Sequence, residues 1–280
     1  MTECLKLSGH KIIVMSKFRI AQIQYAPVLG DEEGSMDNFR ELIFSTRHRA
    51  DLIVLPELAN SGYNFADRNQ ALSCAESVEE SEFIDWLRRW ALMHETNIVT
   101  GFLEKDGDKL YNSSVYINKR GKKEVYRKVH LFMNEKNIFD KGDKGFPVFD
   151  MDEYKLGMLV CFDYLFPEPW RILALKGADI VAHPSNLVTA NAFKVVPAQA
   201  VINGYYIATT NRIGSEGELN FTGKTFIVDP KGEVIKTASP GQAEVVLTKI
   251  DPLLSRDKMI TPGNHVLNDR FPEDYGEVCN

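Results

Sequence analysis

A chain of 280 residues with 44% hydrophobic and 26% charged side chains has the make-up of an ordinary soluble globular protein with apolar material for one large core. The formal net charge of -6 argues against a nucleic-acid partner, because phosphate binding needs a basic face. Ile12-Ile13-Val14 is too short for the apolar centre of a secretory signal and no run reaches about 18 apolar residues, so no membrane span is expected and the expected location is cytoplasmic.

In chain order, Arg19 to Gln24 alternates like a strand, and Phe39, Leu42 and Ile43 mark one face of a helix ending near Ala50. Leu52 to Leu55 reads as the next strand. A second helix is predicted from about Glu79 to Glu95, with Ser77 and Glu80 as a capping box and Phe83, Ile84, Leu87 and Ala91 as its buried face. Strands follow at Ile98 to Leu103 and Ser113 to Ile117, and a hairpin around Gly121, Lys119 to Lys123, leads towards Lys128. Further on come a helix starting near Pro167, a strand at Ile180 to His183, a helix at Phe193 to Ile202 and a strand at Tyr206 to Thr210. Ala178-Asp179-Ile180-Val181 before Pro184 echoes Ala50-Asp51-Leu52-Ile53-Val54 before Pro56, and Tyr206 to Thr210 echoes Arg19 to Gln24. No Pro-, Gly- or Ser-rich linker divides the chain, which reads as a single domain.

Three segments carry residue types suited to chemistry. Cys161 closes the apolar run Leu156-Gly157-Met158-Leu159-Val160 and precedes a turn that opens a helix, which sets a thiol at a strand end beside free backbone N–H groups. Glu57 ends the buried-type strand Leu52 to Leu55, just after Pro56. Lys128 lies in the apolar and aromatic stretch Val125-Tyr126-Arg127-Lys128-Val129-His130-Leu131-Phe132, an unusual setting for a solvated lysine. Read singly, each has an ordinary structural meaning: a core cysteine, a loop carboxylate, a surface cation. Read together, they supply a nucleophile, a base and a cation.

That pattern, with LPELANSGYNF around Glu57, YRKVHLF followed by Glu135 around Lys128, and CFDYLFPEPWRILALKGADIVAHPSN from Cys161, resembles the nitrilase, or carbon-nitrogen hydrolase, superfamily. The resemblance runs from about Phe18 to Tyr275. It implies an α/β fold of the four-layer α-β-β-α sandwich type, a domain spanning residues 18–280, and residues 1–17 as an N-terminal extension ahead of it. Alternating, buried strands and helices are compatible with that fold, though periodicity alone does not separate it from a doubly wound sheet.

The implied chemistry follows from the residue types. Thiolate attack on an amide or nitrile carbon forms a covalent intermediate that water later hydrolyses, and a thiol titrating near ~8.5 needs help to lose its proton. The resemblance makes Glu57 the base, Lys128 with the Phe162 N–H the oxyanion donors, and Glu135 a second glutamate that orients Lys128 and the substrate. Tyr63, Phe132, Phe162 and Asn186 match positions that line the pocket in family members, and aromatic walls favour a small, mostly uncharged acyl group. Phe162-Asp163 after the nucleophile, where longer nitrilases carry Trp-Glu, favours a small aliphatic amide as substrate. Nitriles and N-carbamoyl compounds are the alternatives, and a binding or assembly protein on a hydrolase fold is the reading from another class.

His130 and His183 offer a Cys-His alternative, which the resemblance disfavours. No metal is expected, because the six histidines are scattered without ligand spacing, and no cofactor either, since Gly214, Gly217 and Gly223 are too loosely spaced for a phosphate loop. Cys4, Cys74, Cys161 and Cys279 are expected as free thiols. The resemblance also implies a homodimer or higher homo-oligomer. An activated nucleophile predicts that iodoacetamide at neutral pH labels Cys161 ahead of the other three cysteines.

Overall fold

The computed structural model describes residues 18–279; the extension expected at 1–17, with Cys4, lies outside the described residues, as does the side chain of Cys279. The first half runs β1 (Phe18–Gln24), α1 (Glu32–Phe44), β2 (Leu52–Val54), α2 (Arg68–Ser73), α3 (Glu82–His94), β3 (Asn97–Asp106), β4 (Lys109–Ile117) and β5 (Lys123–Arg127). After α4 (Glu135–Ile138) come β6 (Val148–Met151), β7 (Tyr154–Met158), a 3-10 turn at Cys161–Leu165, α5 (Pro167–Leu175), β8 (Ile180–Ser185), α6 (Ala192–Asn203) and β9 (Tyr206–Asn211). The chain continues through β10 (Ser215–Glu216), β11 (Leu219–Asn220), β12 (Phe226–Val228), β13 (Val234–Thr237) and β14 (Glu244–Ile250).

These strands build two six-stranded sheets, ordered β14-β1-β2-β3-β4-β5 and β13-β12-β9-β8-β7-β6. Each has a parallel triplet at its centre, β1-β2-β3 and β7-β8-β9, with antiparallel strands outside it. Side chains of a strand alternate between its two faces. Leu52 and Val54 of β2 accordingly face the second sheet, in one core with Val99, Leu156, Met158 and Val181, while Ile53 turns outward onto Phe39 and Ile43 of α1 and Phe83 and Leu87 of α3. Trp170 and Leu173 of α5 and Val196 and Ala200 of α6 cover the outer face of the second sheet. The result is the expected α-β-β-α sandwich, and its central strands read as continuous apolar runs because both of their faces are buried.

Two helix boundaries differ from the sequence reading. The first helix stops at Phe44, where the Ser45 and Thr46 hydroxyls bond back to Leu42 and Ile43 carbonyls, and His48 takes a positive φ of 54° before Ala50. Ser77 and Glu80 do bond reciprocally, at 3.1 and 3.2 Å, but they close a separate turn. The cap of α3 is Ser81, whose hydroxyl accepts from Ile84 N–H at 3.2 Å.

The Ala-Asp echo falls on equivalent strands. Asp51 N–H donates to Arg19 C=O, and Asp179 N–H to Lys155 C=O; the Asp51 carbonyl accepts from Asn97 N–H, and that of Asp179 from Tyr206 N–H. Each carboxylate also turns back to the preceding parallel strand, Asp51 accepting Arg19 N–H at 2.8 Å and Asp179 accepting Lys155 N–H at 2.9 Å. This correspondence matches Tyr206 with Asn97, so β9 takes the place of β3. The second echo, between β9 and β1, does not mark equivalent strands.

The side chain of Asp179 is 4% exposed and also accepts from Arg256, whereas that of Asp51, which accepts from the Arg19 guanidinium, is 35% exposed. Losing a buried acceptor strands its donors, at a cost of about 1–3 kcal/mol. Asp179→Ala is therefore expected to lower urea-unfolding stability by about that amount, and Asp51→Ala by less. Equal losses, or the opposite order, in paired denaturation curves would contradict the burial argument.

Candidate active site

The site forms where strands from both sheets end. Past the end of β2, Leu55-Pro56-Glu57 turns sharply and Leu58 adopts a positive φ of 47°. Only glycine lets β3 pass this turn: a Cβ on Gly101 would lie 2.4 Å from Glu57 Cα, Leu58 N and Pro56 O, and Gly101 N–H donates to Pro56 C=O at 3.0 Å. The Glu57 side chain is completely buried. Its Oε1 accepts from Lys128 Nζ at 2.7 Å and from Asn112 Nδ2 at 2.7 Å, and Oε2 has no partner among the described residues.

Lys128 follows β5. Its backbone N–H donates to Asn112 C=O and its carbonyl accepts from Gly142 N–H, each at 2.9 Å. Gly142 passes so close that a Cβ would stand 2.0 Å from Arg127 O. The buried ammonium bridges Glu57 and Glu135, whose Oε1 lies 2.8 Å from Nζ. Glu135, the first residue of α4, accepts the Tyr63 hydroxyl at 2.7 Å on the same oxygen, and Phe132 N–H at 3.1 Å on the other.

Cys161 opens the 3-10 turn beyond β7 with a φ of 42°, a left-handed conformation that costs a non-glycine residue of the order of 1–3 kcal/mol and persists only where the surroundings over-determine it. Asp163 supplies much of that determination. Its Oδ2 accepts from Val160 N–H at 2.9 Å and from the Tyr126 hydroxyl at 2.7 Å, its Oδ1 meets the His130 ring and N–H, and its carbonyl accepts from Trp170 Nε1. His183 Nε2 holds the Cys161 carbonyl at 2.9 Å while Nδ1 faces the Thr209 hydroxyl at 3.0 Å.

Electrostatics settle the resting protonation. Burial, followed by the Glu57 charge, pushes the Cys161 thiol well above its ordinary range, against a smaller downward pull from Lys128. Burial would neutralise Lys128, yet the Glu135 and Glu57 carboxylates outweigh it and hold the ammonium charged above the usual lysine value. Burial raises Glu135 despite Lys128. Burial also lowers His183 to about 4, so it is a neutral structural ring at neutral pH. Both of its nitrogens, and Nδ1 of His130, meet groups other than the thiol, and Glu57 is the carboxylate that raises Cys161 most.

Glu57, Lys128, Glu135 and Tyr63 thus form one hydrogen-bonded chain beside Cys161. Tyr63, Phe132 and Glu135 line a cavity of about 80 Å³, whose lining also includes Phe65, Ile138, Val188 and Leu219. Phe162 backs Phe132, with ring centres 4.9 Å apart. Asn186 donates Nδ2 to the Glu57 carbonyl at 3.1 Å, a clamp on the backbone of the putting-in-place turn. Larger clefts, of about 430 Å³ beside Asp150–Lys155 and about 560 Å³ beside Trp90, contain none of these residues. Asn112 and Asp163 were not among the sequence candidates. The polar triple Asn112-Ser113-Ser114 inside a buried strand, and a carboxylate set between Phe162 and Tyr164, are the signals that mark them.

The buried, protonated thiol changes the labelling expected from sequence. Selective alkylation at neutral pH presumes a thiolate, whereas Cys161 alkylation is expected to keep rising above the ~8.5 at which an ordinary thiol ionises. Glu57→Gln removes a negative neighbour and should move the Cys161 curve to lower pH. Mass-spectrometric labelling from pH 6 to 11 checks both; a Cys161 curve at or below that of a free cysteine peptide would refute the protonated resting state.

Residues 19–257 match the model of the carbon-nitrogen hydrolase family. The chain is 42% identical to a nitrilase of Pyrococcus abyssi, over 92% of this chain and 98% of that one. It is 29% identical to an N-carbamoylputrescine amidase of Oryza sativa, over 93% and 94% of the two chains. The crystal structure of an amidase from Nesterenkonia sp. superposes with a TM-score of 0.79 at 26% identity, covering 97% of this chain and all of that one. With two facing sheets, flanking helices and a family match across most of its length, the chain belongs to the carbon-nitrogen hydrolases of the nitrilase superfamily and is a hydrolytic enzyme.

Proposed function

We propose that this hydrolase converts small aliphatic primary amides to the carboxylic acid and ammonia through a thioester on Cys161, with Glu57, Lys128 and Cys161 as the catalytic residues. The observation that carries this reading is Glu57 Oε2, a buried carboxylate oxygen without a partner among the described residues, next to a thiol that burial keeps protonated. As the sulfur–carbon bond forms, the thiol proton passes to Glu57 and the carbonyl π pair moves to oxygen. Lys128 has spent two of its three N–H bonds on carboxylates, and the third, with the Phe162 N–H at the start of the 3-10 turn, stabilises that oxyanion. Collapse breaks the carbon–nitrogen bond while Glu57 returns the proton to the departing ammonia. Water then attacks the thioester with Glu57 again as base, the sulfur–carbon bond breaks and the thiol regains its proton. Glu135 and Tyr63 hold Lys128 in place.

An amide NH2 brings two donors to a site with an unmatched buried acceptor, and a nitrile brings none, so the amide fits this polar balance better. Nitrile hydrolysis, the activity named for the Pyrococcus relative, and N-carbamoyl hydrolysis, that named for the Oryza relative, use the same nucleophile and are the competing readings. Under this proposal residues 18–280 act as a single catalytic domain in the cytoplasm, supported by a core that both sheets share. A homodimer or larger assembly is supported by the exposed Ile260, Phe271 and Val278.

Ammonia release from small amides, matching nitriles and N-carbamoyl compounds tests the proposal. The expected result is release from amides by the wild type and none by Cys161→Ala. Lys128→Ala should lose roughly a hundredfold or more in turnover, while His130→Ala mainly lowers stability. Cys161-dependent release from nitriles or carbamoyl compounds alone would reassign the substrate, and no release from any class would support the non-catalytic binding reading.

A further inference from the structure

The cavity that adjoins the site through Tyr63, Glu135 and Phe132 is closed by a part of the chain that the proposed reaction does not use. The β10–β11 hairpin, Ser215–Asn220, projects beyond β9 and carries Leu219 to the cavity wall, where Val188 and Ile138 meet it. The hairpin is fixed from inside. Glu216 Oε2 accepts the backbone N–H groups of Tyr63 and Asn64 at 3.0 and 2.7 Å, and its carbonyl accepts from Asn64 Nδ2 at 3.0 Å. Its other carboxylate oxygen pairs with Arg212, and the side chains of that pair are only 2% and 7% exposed. Arg212 in turn donates to Pro27 C=O at 3.0 Å and lies over the Phe221 ring, which meets Tyr63 edge-on. Even the preceding turn is committed: a Cβ on Gly62, whose φ is +72°, would stand 2.8 Å from Glu216 Oε1. A buried ion pair therefore locks this hairpin to the segment that carries Tyr63.

The polar side chains that line the cavity are already engaged within the protein: Asn64 with the Glu216 carbonyl, Asn134 with Asn137, and Tyr63 with Glu135. Glu135 is its single charged lining residue among the described residues, and both of its oxygens are occupied by Lys128, Tyr63 and Phe132. Among the described residues no lysine or arginine lines the space, so an acyl group ending in a carboxylate would meet no cation on its walls and would face Glu135. The volume of about 80 Å³ leaves room for only a few heavy atoms.

We infer that the β10–β11 hairpin determines acyl-group specificity: Leu219, with Val188, walls the cavity so that it admits a short, neutral aliphatic chain, and the Arg212–Glu216 pair keeps that wall rigid. The inference rests on the amidase reading for the substrate class, but its geometry concerns binding alone, which allows the two to be tested apart. Linear primary amides from acetamide to hexanamide would be titrated calorimetrically into full-length Cys161→Ala protein, which binds without turnover. Affinity is expected to peak at a short chain and to fall roughly tenfold for each methylene beyond it. Leu219→Ala and Val188→Ala, each added to Cys161→Ala, should move the peak to a longer chain by at least one methylene. Glu216→Gln in the same background should flatten the ratio between short and long chains, whereas general destabilisation would weaken every amide alike. An unmoved peak in both wall variants, or no saturable binding of any amide, overturns the inference. Ammonia release by the wild type is read separately: a moved peak without release would retain the inference and reject the amidase reading, and release with an unmoved peak would do the reverse.

Discussion

A lysine ammonium buried between two carboxylates is the constraint around which the rest of this structure is arranged. Lys128, Glu57 and Glu135 are almost wholly withdrawn from solvent, and removing one partner of such a buried pair costs about 3–5 kcal/mol because the other is left unmatched. Three charges can share this space only if the scaffold brings their backbones together, and two glycines do so. Gly101 lets β3 run against the Glu57 turn, and Gly142 lets a loop close on the Arg127–Lys128 carbonyls. Any larger residue would displace Glu57 or Lys128. The polar cluster and the apolar sandwich are thus one design, with the sheets supplying strand ends that the glycines allow to converge.

Cys161 is held by different means. Glu57 follows the central strand of one parallel triplet and Cys161 the first strand of the other, so both stand at carboxyl ends of parallel strands, where open α/β sheets place their ligands. Facing the two sheets brings those ends together. The left-handed turn at Cys161 is maintained from below by Asp163, which gathers a backbone N–H, a tyrosine, a histidine and, through its carbonyl, a tryptophan. His130 and His183 belong to this support. Both stand near the thiol in sequence or space, but one faces Asp163 and the other holds the Cys161 carbonyl.

Much of this was legible in residue patterns. Buried strands announced themselves as apolar runs, and the Ala-Asp echo marked two strands whose carboxylates perform the same task at Asp51 and Asp179. The chemistry-bearing residues were conspicuous because Glu57, Lys128 and Cys161 interrupt or end apolar stretches. What the pattern lacked was direction. Ser77-Glu80 has the spacing of a capping box, yet Ser81 lies one turn closer to the apolar face of α3 and wins the role. Asn186 matches a pocket-lining position, and its Nδ2 also clamps the Glu57 carbonyl, a contact that the sequence does not show. Glu216 lies in a short, polar hairpin that looks like any surface turn until its carboxylate is seen bonding Tyr63 and Asn64. Such roles depend on contacts between segments some 150 residues apart, such as Asn64 and Glu216 at a separation of 152, which no local period encodes.

The protonated thiol follows first from burial and then from the charges around it. Desolvation is the largest penalty on a thiolate there, and the Glu57 charge adds more to it than Lys128 relieves. Under the proposed mechanism a thiol kept neutral at rest becomes reactive only as its proton leaves, which couples sulfur–carbon bond formation to proton transfer to Glu57. The oxyanion of that mechanism would place negative charge on the substrate, next to the remaining Lys128 N–H, while protonation of Glu57 would remove a negative charge from the cluster. Charge is thereby redistributed within the buried site without a net change. In a buried site, moving one negative charge without altering the total is the physical reason that the proposed mechanism couples proton transfer to attack rather than relying on a pre-ionised cysteine.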